Sequence, residues 1–598
     1  MLADHSATTQ LSLNWPADCY ARGMNPLHAA ILVVAIAAPG YAAAPPQTCT
    51  PLRWDGGPLE LLRRERYAQW EQARVAEFER KAAEKTKTAG VFAHHDDEAA
   101  RPKPFATPPM NDVQKQAVRD WYRPSTLDLL EGSSYNCLLL TWSLGDSAES
   151  ESEHRTIVAE YAGQARNRGF AVLAVIEPGP EWLAAVEAAA GVFDGVVLES
   201  TFPGEPAGAI PEGEFPEGAA RQAFELLHSK NPDAFVILMS SWELVERDEH
   251  YPIVAAHSGV WPGMLSPSEA TGWGAGPTSN PWVLSNGWQI GVLRADGSGR
   301  PAWMGHRPKP HRPQPLEFKD YARAVADSSM SGAKWIVAVG DDWRPRLFAA
   351  EKEALDEWKK LDEYVRFFEG LNQRWKEFQV WPSVVVVHDP GDQSAFDSFD
   401  VLNMLAVRQV PHRVVLRPDF KAHAIGGQTG VVAFDFAPPD DSERQALQSF
   451  TQTGGTLVTG PRWYRAQQQA GPQFPRLIAG AGSIRGFPTA QAVDSDGFSR
   501  AIRDMVDKEH GAPKLYNVGS IISLYSVNPA TGQALLQMTE YGDFPTENVT
   551  VRLPNKIRQA RLHAIGAEPQ DLKIYDGEDG GSEIDVPRVP IYCAILME

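Results

Sequence analysis

Between Tyr135 and Gly370 short apolar runs alternate with amphipathic stretches, the rhythm of βα units that build a parallel sheet. Seven runs read as strands: NCLLLTW (136–142), FAVLAVIE (170–177), FDGVVLES (193–200), AFVILMSSW (234–242), YPIVAAH (251–257), PWVLSN (281–286) and KWIVAVGDD (334–342). An eighth is expected in the Gly-, Trp- and Pro-rich stretch 258–312. No glycine-rich phosphate loop follows the first run, so a closed (β/α)8 TIM-type barrel fits better than an open dinucleotide-binding sheet. After a long helical stretch, 347–368, a second α/β pattern begins, with strands SVVVVHD (383–389), HRVVLRP (412–418), GVVAFDF (430–436) and GTLVTGP (455–461). This predicts a flavodoxin-like or amidotransferase-like domain. The last hundred residues change to short alternating runs with turns every eight to twelve residues, which predicts a small antiparallel β-sandwich.

The class is therefore α/β, and the expected map has five parts. Residues 1–44 form a leader region, 45–130 an N-terminal helical and loop extension, 131–380 the barrel, 381–490 the flavodoxin-like domain and 491–598 the sandwich. Within the extension, 59–87 has the spacing of a charged surface helix. In the loop 91–110, the run His94-His95-Asp96-Asp97-Glu98 is acidic and imidazole-rich, but adjacent loop side chains rarely converge on one ion, and no metal site is assigned.

A chain of 598 residues exceeds one hydrophobic core, and 43% hydrophobic with 22% charged residues is ordinary globular composition. The formal net charge of −20 repels phosphate backbones, and no basic stripe offsets it, so nucleic acid is excluded as a partner. The stretch 24–44 carries about ten apolar residues, a Pro39-Gly40 break and small residues at 42–44, the pattern of a secretory signal peptide. Met24 is then a candidate start, the mature chain is expected to be secreted or periplasmic, and no membrane insertion is expected once the leader is removed. Of four cysteines, Cys19 falls in that leader; Cys137 and Cys593 sit in apolar runs and read as buried free thiols.

The order of barrel, flavodoxin-like domain and sandwich resembles the trimerising β-galactosidases of glycoside hydrolase clan A. The stretch RPQPLEFKDYARAVADSSMSGAKWIVAVGDDWRP (312–345) is similar to the last barrel helix and strand of those enzymes, and TEYGDFPTENVTVRLP to their closing sandwich. The resemblance implies a glycan substrate and a homo-oligomer formed through the flavodoxin-like domain. Laid on the penultimate strand, where those enzymes carry a nucleophilic glutamate, PWVLSN presents Asn286. Their Asn-Glu acid pair is replaced after the 234–240 run by Ser240-Ser241-Trp242-Glu243. A second resemblance, to endo-galactosaminidase-type barrels, rests on FDGVVLES and LMSSWELV and places an acidic role on Glu199.

Barrel enzymes carry their chemistry at the C-terminal strand ends. The carboxylates there are Glu177, Glu199, Glu243, Asp341 and Asp342. Glycoside hydrolysis takes two, one giving a proton to the leaving oxygen and one ionised. Glu199 and one of Asp341 and Asp342 form the favoured pair, with Glu177 and Glu243 as further candidates; each also reads as a strand cap or salt-bridge partner. Sugar contacts are expected from Trp142, Trp242, His257, Trp261, Trp282, Asn286, Trp288 and Trp343, because flat indoles stack on sugar C–H faces; the same residues equally suit packing. No GxSxG, Walker or HExxH motif is present, and no cofactor is expected. The leading expectation is a glycoside hydrolase-like protein, with a non-catalytic carbohydrate-binding protein or a structural envelope protein as alternatives.

Overall fold

The computed structural model describes residues 48–88, 109–200, 215–240, 251–264, 283–296, 299–306, 315–381, 384–392, 395–421, 425, 430–433, 437–460, 462–463, 482–486, 495–509, 512–577 and 580–598. The expected leader lies outside these residues, as does the 94–98 run. Among the described residues no helix is long and apolar enough to cross a membrane.

Eight parallel strands close into a barrel. They are β1 (Pro51–Arg53), β2 (Cys137–Ser143), β3 (Ala171–Ile176), β4 (Gly195–Glu199), β5 (Phe235–Ser240), β6 (Val254–Ala256), β7 (Ala302–Gly305) and β8 (Ala333–Ala338). Closure is made by β1, which lies between β8 (Leu52 opposite Val337) and β2 (Leu52 opposite Leu138). Alternating side chains divide the strands between two cores. Leu139, Val175, Val197, Ile237, Ala255, Trp303 and Ile336 fill the interior, while Leu138, Leu140, Val172, Val196 and Val337 pack under the helical layer.

Two strands differ from expectation. Among its described residues PWVLSN supplies no barrel strand: Val283–Leu284 is extended and pairs antiparallel with Gly263–Met264 in a separate ribbon. The seventh strand is Ala302–Gly305, inside the stretch expected to hide one. The eighth is Pro51–Arg53, so the barrel reaches back into the segment expected to be an extension.

The helices that matter for the site are α1 (Gly57–Thr88), α2 (Asp112–Arg119), α3 (Ser152–Asn167), α4 (Trp182–Ala189), α5 (Ala219–Lys230), α6 (Gly287–Asp296), α7 (Phe318–Met330), α8 (Trp343–Phe348) and α9 (Lys352–Arg374). Beyond α9, a five-stranded parallel sheet runs in the order β10-β9-β11-β12-β13, from β9 (Val384–His388), β10 (His412–Leu416), β11 (Gly430–Ala433), β12 (Thr456–Thr459) and β13 (Ser483–Gly486). Its first strand is an unbroken valine run because both faces are buried, against two different apolar clusters. The C-terminal segment, joined by the short strand Gln379–Val380, forms six- and four-stranded antiparallel sheets enclosing Leu536, Met538, Val549, Val551, Ile584 and Ile595.

Candidate active site at the barrel mouth

The inward columns that are apolar in mid-barrel turn polar at the C-terminal strand ends. Counting two residues on from interior positions brings Arg53 (β1), Thr141 (β2), Glu177 (after β3), Glu199 (β4) and His257 (after β6) to the mouth, and all five are buried. Glu199 thus stands where an apolar strand was expected to deliver it.

Its partner was not foreseen. The Arg53 guanidinium donates from Nη1 to Glu199 and from Nε to Asp55 at 2.5 Å. Asp55 also accepts from Thr141 Oγ1 at 2.7 Å and pairs with Arg63 at 3.1 Å. Arg63 continues to Glu60 at 2.5 Å and to Glu177 at 3.5 Å. Arg64 joins Glu60 at 2.6 Å to Asp341 at 2.6 Å. One chain of ion pairs therefore runs from Glu199 to Asp341, and each carboxylate along it is held by an arginine. Burial raises the Asp55 carboxyl, but the Arg53 and Arg63 charges and the Thr141 hydroxyl outweigh it and hold the group well below the usual carboxylate range. Glu60 is likewise raised by burial and lowered further by Arg63 and Arg64.

Arg53 comes from β1 itself, and Arg63 and Arg64 come from the first turns of α1, which leaves β1 at once and starts over the mouth. Gly56 and Gly57 permit this turn. A Cβ on Gly56 would meet Trp121 Cβ at 2.6 Å, while Gly57 has φ +76° and would press on His154 Nδ1 at 3.0 Å. His154 in turn accepts from the Leu59 amide at 3.3 Å through Nδ1, leaving Nε2 to donate to the Thr141 carbonyl at 2.8 Å. Burial lowers this imidazole to about 4, so it is neutral near pH 7 and ties α1 to β2.

The remaining expected residues divide sharply. Asp342 is exposed and accepts from Gln114 on α2 at 2.9 Å. Glu243, Trp242 and Trp282 lie outside the described residues. Trp142 faces the helical layer, donating to the Ala185 carbonyl at 3.0 Å with Arg155 over its ring. Trp343 packs on Tyr321 and Trp358, and Trp261 on Tyr321 and Trp335, both within the helical layer. Trp288 packs against the core of the five-stranded sheet. Asn286 is buried; its side chain exchanges hydrogen bonds with the Val260 backbone at 2.7 and 3.0 Å, and its amide donates to Asp327 at 2.8 Å. Trp142, Trp261, Trp288 and Trp343 are thus packed against neighbouring side chains, and Asn286 is bound to the Val260 backbone. The real penultimate strand, β7, reads Ala-Trp-Met-Gly and carries no carboxylate.

The residues that sequence reasoning missed are Arg53, Asp55, Glu60, Arg63 and Arg64. The Glu60-to-Arg63 and Glu60-to-Arg64 spacing was a readable helical ion-pair signal. Its connection to the strand ends required the closed barrel.

No family model and no curated protein matches this sequence. Among solved structures, the chain is similar to alpha-L-fucosidase isoenzyme 2 from Paenibacillus thiaminolyticus, with TM-score 0.53, 10% identity, and 79% of this chain and 95% of that one covered. It is also similar to the beta-galactosidase from Bacillus circulans sp. alkalophilus, with TM-score 0.51, 9% identity, and 82% and 97% covered. The chain therefore shares the closed (β/α)8-barrel fold of these two proteins.

Proposed function

We propose that this protein engages a glycan on a glycosidase-type barrel and binds it without cleaving it through Glu199 and Asp341. The observation that carries this reading is the Arg53–Glu199 pair, buried and continued by arginines as far as Asp341. Two-carboxylate hydrolysis needs one protonated and one ionised group, both reachable by substrate. Here the favoured carboxylates are engaged by cations, and Glu199 is 0% exposed. Glycan contacts are assigned to the chain following β5 and β6, where Trp242, Glu243, Trp273 and Trp282 fall in sequence. Secretion or a periplasmic location, and self-association through the five-stranded sheet domain, belong to the same proposal.

The test is a panel of polysaccharides and chromogenic glycosides assayed for both binding and turnover, with wild type, Glu199→Gln and Glu243→Gln. Binding without turnover in all three supports the reading. Turnover that is lost in either variant overturns it in favour of hydrolysis, and absence of any glycan binding overturns it in favour of a structural protein.

A further inference from the structure

In the C-terminal sandwich the chain passes from the strand Ala534–Glu540 of the six-stranded sheet to the strand Thr546–Leu553 of the four-stranded sheet through the loop Tyr541-Gly542-Asp543-Phe544-Pro545. A buried carboxylate closes this loop across its base: Glu540 accepts from the Gly542 amide at 2.7 Å and from the hydroxyls of Ser520 and Thr546. The loop is fastened to the barrel as well. Arg323 on α7 donates to the carbonyls of Glu540 at 3.2 Å and Gly542 at 2.7 Å, Tyr541 donates to Asp327 on the same helix, and Lys319 pairs with Asp543 at 3.1 Å. The Gly340 amide, just past the C-terminal end of β8, donates to the Tyr321 hydroxyl at 2.9 Å, so the first turns of α7 stand level with the barrel mouth. The loop also meets the ribbon that follows β6. The Met264 amide donates to the Tyr541 carbonyl at 3.2 Å, and Arg323 reaches the Pro262 carbonyl at 3.3 Å. On a loop held this firmly, Phe544 is 84% exposed, more than any other large apolar side chain among the described residues.

We propose, resting on the glycan function assigned above, that Phe544 is a sugar-stacking residue which the C-terminal sandwich supplies to the rim of the barrel mouth. The ribbon strand to which its loop is hydrogen-bonded leads in sequence from Met264 into the stretch that carries Trp273 and Trp282, two of the assigned glycan contacts, before the chain re-enters the ribbon at Val283. A phenyl ring offers an apolar face with a negative quadrupole, which suits the C–H face of a pyranose and leaves the sugar hydroxyls to polar neighbours. Asp543 and Lys319 supply such neighbours at the loop tip. A ring flanked by charges fits a ligand with one apolar face and many hydroxyls better than it fits a protein partner, whose contact core is depleted of charge. The rigid loop strengthens the contact. The Glu540 carboxylate, Arg323 and Pro545 set the backbone before any sugar arrives, so binding orders little more than the two side-chain torsions of Phe544.

Binding of soluble galactan, xylan, mannan and β-glucan oligosaccharides to the full chain is measured by calorimetry for wild type, Phe544→Ala, Phe544→Trp and Tyr575→Ala. The expected result is binding weakened about tenfold in Phe544→Ala, the scale of one lost aromatic contact, with the melting temperature unchanged. Phe544→Trp, which keeps a flat ring, and Tyr575→Ala, at an exposed aromatic on the strand Ile574–Asp576, are expected to bind as wild type does. Wild-type binding that Phe544→Ala leaves unchanged overturns the stacking role alone, and so does a loss that Phe544→Trp shares. Absence of binding by wild type overturns the glycan function and the stacking role together. A dimer or larger species that Phe544→Ala dissociates, read by light scattering, overturns the stacking role in favour of contact with a second copy of the chain.

Discussion

Arg53 at the end of β1 and Glu199 at the end of β4 meet inside the barrel mouth, 146 positions apart in sequence. The pair ties the first barrel strand to the fourth. Around it the pairs are buried and share arginines, and in such a network removing one partner costs more than the pair contributes.

Arg63 is the branch point, contacting Asp55, Glu60 and Glu177. Arg63→Met is expected to cost about 3–5 kcal/mol in chemical unfolding at pH 7, because three carboxylates lose a buried counter-charge. Asp55 and Glu60 have folded pKa values below their unfolded ones. Their contribution in wild type is present above about pH 4 and lost as pH falls through the folded values. In the variant those carboxylates take up protons more readily when folded, so the deficit relative to wild type is expected to shrink between pH 7 and pH 4.

His154 predicts a separate acid transition. Its folded value near 4 lies below the unfolded imidazole value of about 6.5. The unfolded chain therefore binds the proton first, and stability is full above pH 6.5 and falls as pH drops toward 4, by up to about 3 kcal/mol. Measured by urea unfolding from pH 7 to 4, His154→Gln should lose part of this slope. An unchanged slope would remove His154 from the account.

The barrel is tied to the C-terminal sandwich by Asp327 on α7, which accepts from Tyr541, from Ser285 Oγ at 2.9 Å and from the Asn286 amide at 2.8 Å. Burial raises the Asp327 carboxyl despite these donors. Tyr541→Phe is expected to destabilise by about 1–3 kcal/mol, since a buried acceptor loses a donor. The same change at exposed Tyr575 should stay within about 0.5 kcal/mol.

The sequence made the repeating architecture legible where strands are continuous apolar runs. Leu138–Leu140, Val196–Leu198 and Val384–Val387 announce themselves because parallel strands are buried on both faces. Pro51–Arg53 does not, being three residues with one aliphatic side chain; its strand exists only because β2 and β8 flank it. PWVLSN misled for the opposite reason. Of its described residues, Val283 and Leu284 serve the ribbon, and Val283 and Asn286 are buried without barrel pairing. At the mouth, the inward aim of Glu199 followed from strand alternation. Its counter-charge did not, because which arginine it meets is set by barrel closure and by an α1 that starts across the opening.

Glu199→Gln, followed by thermal unfolding alongside glycan turnover, tests the role of the Arg53–Glu199 pair most directly. A melting temperature lowered by several degrees, with glycan hydrolysis absent before and after the change, is the predicted result, reflecting about 2–4 kcal/mol lost when Arg53 keeps only Asp55. An unshifted melting temperature together with hydrolysis present in wild type and abolished in the variant would contradict it.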